Sequence, residues 1–170
     1  YHAVKLSVAK MVPGSRVVVI GAGGLGHMGI QIIKAISAAD VVAVDVKPAA
    51  RELAAKSGAD VVLECVGIPT AVPEGMEMCR DGGKYLVLGH YCDAGPVSWN
   101  PHVITRKQLS VFGSWSSEPR HLQAAIEFLR RHQREFPFHE MVSHRFSITQ
   151  ADEALQTTAR WEAAKSVIVP

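Results

Sequence analysis

The sequence predicts an α/β fold in which a doubly wound parallel sheet is covered by helices. Apolar, β-branched runs alternate with helical patterns along the chain, which is typical of strand–helix–strand units. The first run, 17–20, is apolar at every position, as expected for a strand that is buried on both faces. It leads directly into a glycine cluster, 21–26, and then into a helical pattern, 27–38.

Turn residues and apolar periodicity place the elements of the first half. Residues 1–11 carry apolar residues at the spacing of a short helix, which the turn 13–15 ends. Short runs rich in valine, isoleucine or leucine predict strands at 17–20, 41–45, 61–65 and 84–88. Helices are expected at 27–38, from Pro48 to about Lys56, and from about Pro73 to Arg80, with a turn at 81–83.

The second half begins with a predicted loop, 89–100, and a fifth strand, 109–113. A good helix start at 117–119 opens a helix that ends near His132. Its apolar residues at helical spacing predict a buried stripe, formed by Leu122, Ile126 and Leu129. We expect a strand or an extended segment at 141–148, a helix from a capping box at 149–152 to about Trp161, and a short strand at 167–169.

The composition fits one globular domain and excludes several classes of partner. The chain has 170 residues, 48% of them hydrophobic and 20% charged, and a formal net charge of +2. This balance gives no basic surface for nucleic acid, and the apolar runs are shorter than a membrane span requires. The start has no signal-peptide core and no initiator methionine, so the sequence reads as a piece of a longer protein.

The three cysteines point to a reducing compartment. Cys65, Cys79 and Cys92 are widely spaced and form no C-x-x-C pair. We expect free thiols of a cytoplasmic protein, with no zinc site made from these three residues. The eight histidines also lack H-x-H and H-E-x-x-H spacing, so the sequence predicts no metal ligand in this chain.

Four features of the sequence fall at the carboxyl ends of predicted strands. They are the glycine cluster, Asp45, the Val66-Gly67 pair and the Leu88-Gly89 pair. Parallel strands joined by right-handed crossovers bring such ends to one edge of the sheet, where ligands bind in doubly wound folds. The four features therefore predict one ligand-binding crevice.

The glycine cluster, which also contains Gly24 and Leu25, has the G-x-G-x-x-G frame of a dinucleotide-binding turn. Gly21 would allow the sharp exit from the strand, and Gly23 would let a pyrophosphate approach the backbone. Gly26 would let the helix pack closely on the strand. The helix start would offer N–H groups and a partial positive charge to the phosphates.

Asp45 follows the second predicted strand, 19 residues after Gly26. A carboxylate at that distance can accept hydrogen bonds from both adenosine ribose hydroxyls and would repel a 2′-phosphate, which favours NAD over NADP. The alternative is that Asp45 caps the helix that starts at Pro48. Lys47 and Arg51 are close enough to bind a phosphate, or they are solvated cations on the helix.

The motifs together resemble the zinc-type medium-chain alcohol dehydrogenases over nearly the whole chain. The resemblance rests on the glycine cluster with His27-Met28-Gly29, Asp45, Glu64-Cys65-Val66-Gly67, Gly82-Gly83-Lys84, Val87-Leu88-Gly89 and Lys165-Ser166-Val167-Ile168-Val169. It implies a Rossmann-type domain that carries NAD beside a separate catalytic domain. The expected domains are 1–12 as the edge of the catalytic domain, 13–140 as the NAD-binding domain, and 141–170 returning to the catalytic domain.

The same resemblance implies further cofactor contacts. Leu25 would lie on the nicotinamide side, and Val66 with its neighbours Cys65 and Gly67 would line the adenosine side. Leu88, Gly89 and His90 would pass the nicotinamide ribose. The backbone around Phe112 would hold the carboxamide, and Lys165 would be the cation on the pyrophosphate, unless it is an exposed lysine at a strand end.

The sequence departs from the family pattern in two places, which changes the expected zinc site and the expected number of strands. The family's zinc ligands precede the nucleotide-binding region, so zinc is expected in the intact protein but not bound by this chain. Near 57–60, one Gly-Ala-Asp-Val-Val stretch serves where the family has two, which predicts a missing strand–helix unit of about 25 residues. With that unit missing, we expect five core strands instead of six.

The expected activity is oxidation of a small alcohol to an aldehyde or ketone, with hydride transfer to NAD, in a homo-oligomer. This chain would supply the cofactor-binding part and no catalytic residue. Two alternatives are a dinucleotide-binding module without catalysis and a fragment of a zinc-independent reductase. A third is a methyltransferase that binds S-adenosylmethionine, which also uses a glycine-rich turn.

Overall fold

The computed structural model of the protein describes residues 1–44, 58–160 and 162–170. Among these residues the helices are α1 (His2–Lys5), α2 (Gly24–Ile36), α3 (Ala71–Met78), α4 (His102–Arg106), α5 (Pro119–His132) and α6 (Ala151–Ala159). The strands are β1 (Arg16–Ile20), β2 (Asp40–Val44), β3 (Ala59–Glu64), β4 (Cys79–Val87), β5 (Ser110–Gly113), β6 (His144–Ser147) and β7 (Ser166–Val169). Short 3₁₀ turns occupy Val8–Lys10, Phe138–Met141 and Ile148–Gln150.

The chain forms two compact units, Tyr1–Glu127 and Phe128–Pro170. The first unit contains a parallel sheet with the strand order β2-β1-β3-β4-β5. The order reverses between β1 and β3, because the chain first adds β2 on one side of β1 and then β3 on the other. The α/β fold expected from the sequence is confirmed, and the described sheet has five strands.

The central strands are buried because both of their faces are apolar. Val17, Val18, Val19, Val61 and Leu63 have at most 1% of their surface exposed. A strand with helices on both faces has no polar side, which is why β1 and β3 show continuous apolar runs and no alternation. Burial on both faces holds β1 and β3 in place, and the strand order reverses between the carboxyl ends of these two strands.

The helix expected to start near Pro73 starts at Ala71, so that Pro73 and Gly75 both lie inside it. Pro73 is tolerated in the first turn, where a backbone N–H has no partner within the helix. Gly75 is required because a Cβ there would lie 2.5 Å from the ring of Tyr85. The Tyr85 hydroxyl donates a hydrogen bond to Ala71 O at 3.2 Å, so strand β4 and helix α3 are packed through this ring.

Two other expectations differ from the structure. The turn expected at 81–83 is a bulge inside β4, where Ala59 pairs with Cys79 and Val61 with Lys84. Leu122 and Ile126, expected to be buried on α5, have 58% and 51% of their surface exposed. Helical periodicity identifies an apolar face but carries no information about what covers it. The short helix α4 was not expected from the sequence.

The second unit contains a two-stranded parallel sheet, β6 and β7, with helix α6 packed against both strands. A capping box precedes α6, in which the Ser147 and Gln150 side chains bond each other's backbone N–H groups. Lys165 lies next to this sheet, and its carbonyl accepts hydrogen bonds from the N–H groups of Ser143 and His144. The capping box was expected at 149–152, and the structure has it two residues earlier. The expected helix and the strand expected at 167–169 are both present.

A membrane-spanning helix is not found within the described ranges, since none of the helices there is both long enough and apolar enough.

Candidate functional site

Hydrogen bonds tie the carboxyl ends of the five strands of the first unit into one edge. The bonds run from Gly21 N to Val44 O (2.7 Å), Cys65 N to Ile20 O (2.9 Å), Leu88 N to Glu64 O (3.0 Å) and Ser114 N to Val87 O (3.0 Å). Each joins the residue after one strand to the end of its neighbour. The loops that follow the strands are therefore held in the order of the sheet, with the glycine cluster next to the loop after β3.

The glycine cluster is crowded on its inner side and open on its outer side. Gly21 has a φ of +92°, and a Cβ there would lie 2.5 Å from Val66 Cγ2. A Cβ on Gly26 would collide with the carbonyl of Gly21, so a larger residue would separate helix α2 from strand β1. At Gly23, by contrast, a Cβ would meet no atom within 4 Å. The loop leaves its backbone accessible at the start of α2.

A cavity of about 580 Å³ lies at this edge of the first unit. Four residues that the sequence assigned to cofactor binding line it: Leu25 after β1, Cys65 after β3, and Leu88 and Gly89 after β4. The cavity is thus built from three of the strand ends that the sequence placed together. The other expected glycines and Val66 do not line the cavity: Gly21 and Gly23 lie in the turn before α2, Gly24 and Gly26 in the first turn of α2, and Val66 and Gly67 in the loop after β3.

The other expected site residues are placed differently. His90 follows β4, but its Nε2 atom points inward and lies 3.9 Å from Glu64 Oε2. Phe112 lies within β5, and the ammonium of Lys84 is 5.4 Å from the centre of its ring. Asp45, Lys47 and Arg51 lie outside the described residues, and Lys165 belongs to the second unit.

Several residues of the cavity wall were not assigned to the site from the sequence. Tyr91 and Ser114 line the cavity, and the ring of Tyr91 stacks on Trp115 with 4.7 Å between ring centres. His2 and His121 also line it, and their rings stack at 3.7 Å. Ser114 directly follows β5, so its position at a strand end was a usable signal. The histidine pair joins residues 119 positions apart, which no local pattern indicates.

Glu64 is a further residue that the sequence did not assign to the site. It is the last residue of β3, and its side chain is completely buried. Oε1 accepts hydrogen bonds from Val66 N at 2.7 Å and Gly67 N at 2.6 Å, and Oε2 accepts one from Gly89 N at 3.1 Å. The carboxylate therefore joins the loop after β3 to the loop after β4.

The thiol that faces the cavity is held in its protonated form. Burial, and then the neighbouring charge of Glu64, raises the pKa of Cys65 to about 12. A thiol is nucleophilic as its thiolate, so Cys65 is a weak nucleophile at neutral pH. Burial followed by the charge of His121 lowers the pKa of His2, which favours the neutral imidazole.

The described residues do not fit a metal centre. Within residues 1–44, 58–160 and 162–170, no group of three or more His, Cys, Asp or Glu side chains is placed to hold a metal ion. The three cysteines form no disulfide with one another. The edge of the sheet is instead suited to a ligand that is recognised by backbone groups and apolar side chains.

Comparisons with known proteins agree with this description. Residues 55–131 match the zinc-binding dehydrogenase family model. The chain is 30% identical to 5-exo-hydroxycamphor dehydrogenase from Pseudomonas putida, over 89% of this chain and 50% of that protein. It is also 30% identical to sorbitol dehydrogenase from Halalkalibacterium halodurans, over 100% of this chain and 55% of that protein.

A solved structure shows the same arrangement. The alcohol dehydrogenase of Thermotoga maritima superposes with a TM-score of 0.87 at 26% identity, over 100% of this chain and 53% of that chain. The chain spans about half the length of the curated relatives it matches, and those relatives are oxidoreductases by name. The chain belongs to the zinc-type medium-chain alcohol dehydrogenase family.

Proposed function

We propose that the protein takes part in NAD-linked oxidation of a small alcohol to an aldehyde or ketone, and that this chain binds the dinucleotide. The observation that carries the proposal is the glycine turn at the reversal of strand order, crowded at Gly21 and Gly26 and open at Gly23. Doubly wound folds bind dinucleotides across such a reversal, with the pyrophosphate on the open turn. The named relatives, two of them dehydrogenases of alcohols or polyols, support the same reaction class.

The residues of this chain would bind and orient the cofactor. The start of α2 at Gly24 would receive the pyrophosphate, and the cavity wall formed by Leu25, Leu88 and Gly89 would border the nicotinamide. The dinucleotide supplies the hydride chemistry when it is bound. An apolar wall at that point excludes water from the ring, which favours hydride transfer over side reactions.

The choice of NAD over NADP rests on Asp45, whose carboxylate would accept the ribose hydroxyls and repel a 2′-phosphate. We expect NAD⁺ to bind the chain at submillimolar concentration and NADP⁺ to bind at least tenfold more weakly. Replacing Asp45 with serine should reduce that preference without affecting the fold. Isothermal titration calorimetry of the unmodified chain and of Asp45→Ser with NAD⁺, NADP⁺ and S-adenosylmethionine measures all three affinities.

Each alternative has its own outcome in this titration. Binding of S-adenosylmethionine with no response to NAD⁺ or NADP⁺ would indicate a methyltransferase. Tighter binding of NADP⁺ than of NAD⁺ would still indicate a dinucleotide-binding chain, but it would contradict the proposal that Asp45 selects NAD. A chain that binds NAD⁺ but reduces none of it with a panel of small alcohols would be a binding module, or a part whose catalytic groups lie in a longer polypeptide.

We also propose a cytoplasmic setting and a homo-oligomeric state. Free thiols at Cys65, Cys79 and Cys92 are typical of a reducing compartment, which supports the cytoplasm. A homo-oligomer is expected from the family resemblance. Zinc, which the family name implies, is not assigned to any residue of this chain.

A further inference from the structure

Glu64 is an ionisable side chain buried at the point where two site loops meet. Burial of a carboxylate is costly unless hydrogen bonds replace its hydration. Here three backbone N–H groups, those of Val66, Gly67 and Gly89, donate to its two oxygens. Hydrogen bonds to a charged acceptor are stronger than those between neutral groups, so this carboxylate holds the loops after β3 and β4 firmly together.

The two loops are in backbone contact where the carboxylate joins them. Gly67 has a φ of +76°, and a Cβ on it would collide with the carbonyl of Gly89. A Cβ on Gly89 would collide with Gly67 N and lie 2.7 Å from Glu64 Oε1. Leu88 N and Gly89 N also donate to the backbone carbonyl of Glu64, each at 3.0 Å, so the side chain adds to a backbone link between the loops. The space between the loops holds the carboxylate and leaves no room for another side chain, and a shorter side chain could not keep all three of its hydrogen bonds.

Both loops form part of the cavity wall, whereas Glu64 does not. Cys65 from the first loop and Leu88 and Gly89 from the second line the cavity, and the Glu64 side chain lies behind them. A dinucleotide in the cavity would contact the loops and not the carboxylate. Any effect of Glu64 on binding must therefore pass through the positions of the loops.

We infer that Glu64 is a positioning residue for dinucleotide binding: its carboxylate sets the spacing of the loops after β3 and β4 that border the cofactor. The inference rests on the proposed function. It assigns a role to a residue that touches neither cofactor nor substrate, and it makes the length of the side chain, in addition to its charge, the determining property.

The strand that carries Glu64 also carries a matched control. Asp60, at the opposite end of β3, accepts hydrogen bonds from Arg16 N at 2.8 Å and Arg80 Nε at 2.6 Å. It too joins neighbouring strands through a carboxylate, but far from the cavity. Asp60→Asn therefore tests the loss of such a bridge without a change at the site.

The experiment measures NAD⁺ and NADP⁺ affinity by titration calorimetry for the 170-residue chain and the variants Glu64→Gln, Glu64→Asp and Asp60→Asn. In Glu64→Gln the amide oxygen retains the bonds to Val66 and Gly67, and the NH₂ group faces the N–H of Gly89. In Glu64→Asp the charge remains but the side chain is one methylene too short to reach both loops. We expect both to weaken binding roughly tenfold, and Asp60→Asn to weaken it less than twofold.

A second measurement does not depend on the cofactor. Amide hydrogen exchange followed by NMR should show faster exchange at Gly89 in Glu64→Gln, and at Val66, Gly67 and Gly89 in Glu64→Asp. In Asp60→Asn, exchange should change at Arg16 and remain the same at the three loop amides. This measurement tests directly whether the Glu64 side chain protects the loop amides.

The outcomes separate the inference from the proposed function. If the unmodified chain binds neither dinucleotide, the proposed function fails and the inference fails with it. If the unmodified chain binds and the Glu64 variants bind equally well, the inference alone fails. Full binding by Glu64→Asp would indicate that charge acts instead of side-chain length, which also overturns it. If Glu64→Gln does not fold, Glu64→Asp gives the same comparison; if neither folds, the carboxylate serves folding alone and the inference is overturned.

Discussion

At the amino end of β3, Asp60 joins neighbouring strands through Arg16 N and the Arg80 guanidinium, and at the carboxyl end Glu64 joins neighbouring loops through backbone N–H groups. Asp60 is 21% exposed and faces a cation that is itself partly exposed, whereas Glu64 is completely buried. Ion pairs near water contribute about 1 kcal/mol or less. A buried carboxylate that loses its donors leaves several polar groups without partners, which costs more.

The amino and carboxyl edges of the sheet also differ in the groups that make their other contacts. At the amino edge, basic side chains make the contacts: the buried Lys107 ammonium donates to the carbonyls of Glu77, in α3, and Cys79, the first residue of β4. At the carboxyl edge, backbone groups make them, and glycines allow the close approach. The two edges differ most clearly at two glycines: a Cβ on Gly67 would collide with backbone, whereas a Cβ on Gly82 would meet only the end of the Arg80 side chain.

The largest expected effect is at the glycines of the two edges. Gly67 and Gly82 both have positive φ, +76° and +69°, but a Cβ on Gly67 would collide with the Gly89 carbonyl, and a Cβ on Gly82 would lie 3.5 Å from the flexible Arg80 Nη1. Gly82→Ala should lower the free energy of unfolding by about 1 kcal/mol through backbone strain. Gly67→Ala should lower it by about 3 kcal/mol or more.

Urea unfolding of the two alanine variants measures this difference, and the titration with NAD⁺ shows whether it extends to binding. Only Gly67→Ala should weaken binding, since Gly82 lies at the other edge. Equal losses of stability in the two variants would mean that the carboxyl edge is as adaptable as the amino edge, and the comparison would fail.

A smaller effect is expected in the pH dependence at the amino edge. Partial burial of Asp60 raises the pKa of its carboxyl, but the Arg16 amide and the Arg80 guanidinium outweigh it, so the pKa is lowered overall. A carboxyl whose pKa is lower in the folded protein stabilises the fold at pH values above its unfolded pKa of about 4. This stabilisation is lost as the pH falls through the pKa of the folded protein.

Asp60→Asn removes this contribution. At pH 7 the variant should be less stable than the unmodified chain by about 1 kcal/mol, and the difference should shrink as the pH falls below about 4. Urea unfolding at pH 7, 5 and 3 measures the difference. A constant difference across that range would show that the Asp60 bridge depends on packing and not on its charge.

The smallest effect concerns one thiol at each edge. Burial is the main reason that the pKa values of Cys65 and Cys79 are both raised to about 12, but the Glu64 charge adds to the shift at Cys65, whereas Lys107 opposes it at Cys79. Removing the charge in Glu64→Gln should therefore increase the alkylation rate of Cys65 severalfold and leave that of Cys79 unchanged.

Mass spectrometry after timed alkylation at pH 8 measures both rates, with the exposed Cys92 as the fast internal reference. Equal acceleration of Cys65 and Cys79 would indicate a general loosening of the fold. No acceleration at Cys65 would mean that burial alone holds its proton.

Sequence reasoning identified the parts of this protein that depend on local chemistry. The apolar runs predicted β1, β3 and β5, and the glycine frame predicted the turn from Gly21 to Gly26, because strand burial and a positive φ leave marks in adjacent residues. The capping box was predicted two residues too late, at 149–152, whereas the structure forms it between Ser147 and Gln150. The domain bounds, the missing unit near 57–60 and the cofactor contacts stay predictions.

The role of Glu64 could not be predicted in the same way. It stands beside Cys65 in a motif that was recognised, yet its contact with Gly89 joins residues 25 positions apart. The stacking of His2 on His121 is still more distant in sequence. The first contact depends on the register of neighbouring strands and the second on the packing of helices α1 and α5, and neither is determined by one segment alone.

By itself the sequence determined the fold class and the glycine turn after β1, and it predicted the edge of the sheet where a ligand would bind. These follow from hydrophobic periodicity and from the limits that side chains place on the backbone, and both act within a few residues. The tertiary structure alone decided which loops are joined, that His90 points toward Glu64 and not into the cavity, and that Leu122 and Ile126 are exposed. Those outcomes depend on the packing of segments distant in sequence, where burial and hydrogen bonding are shared between strands.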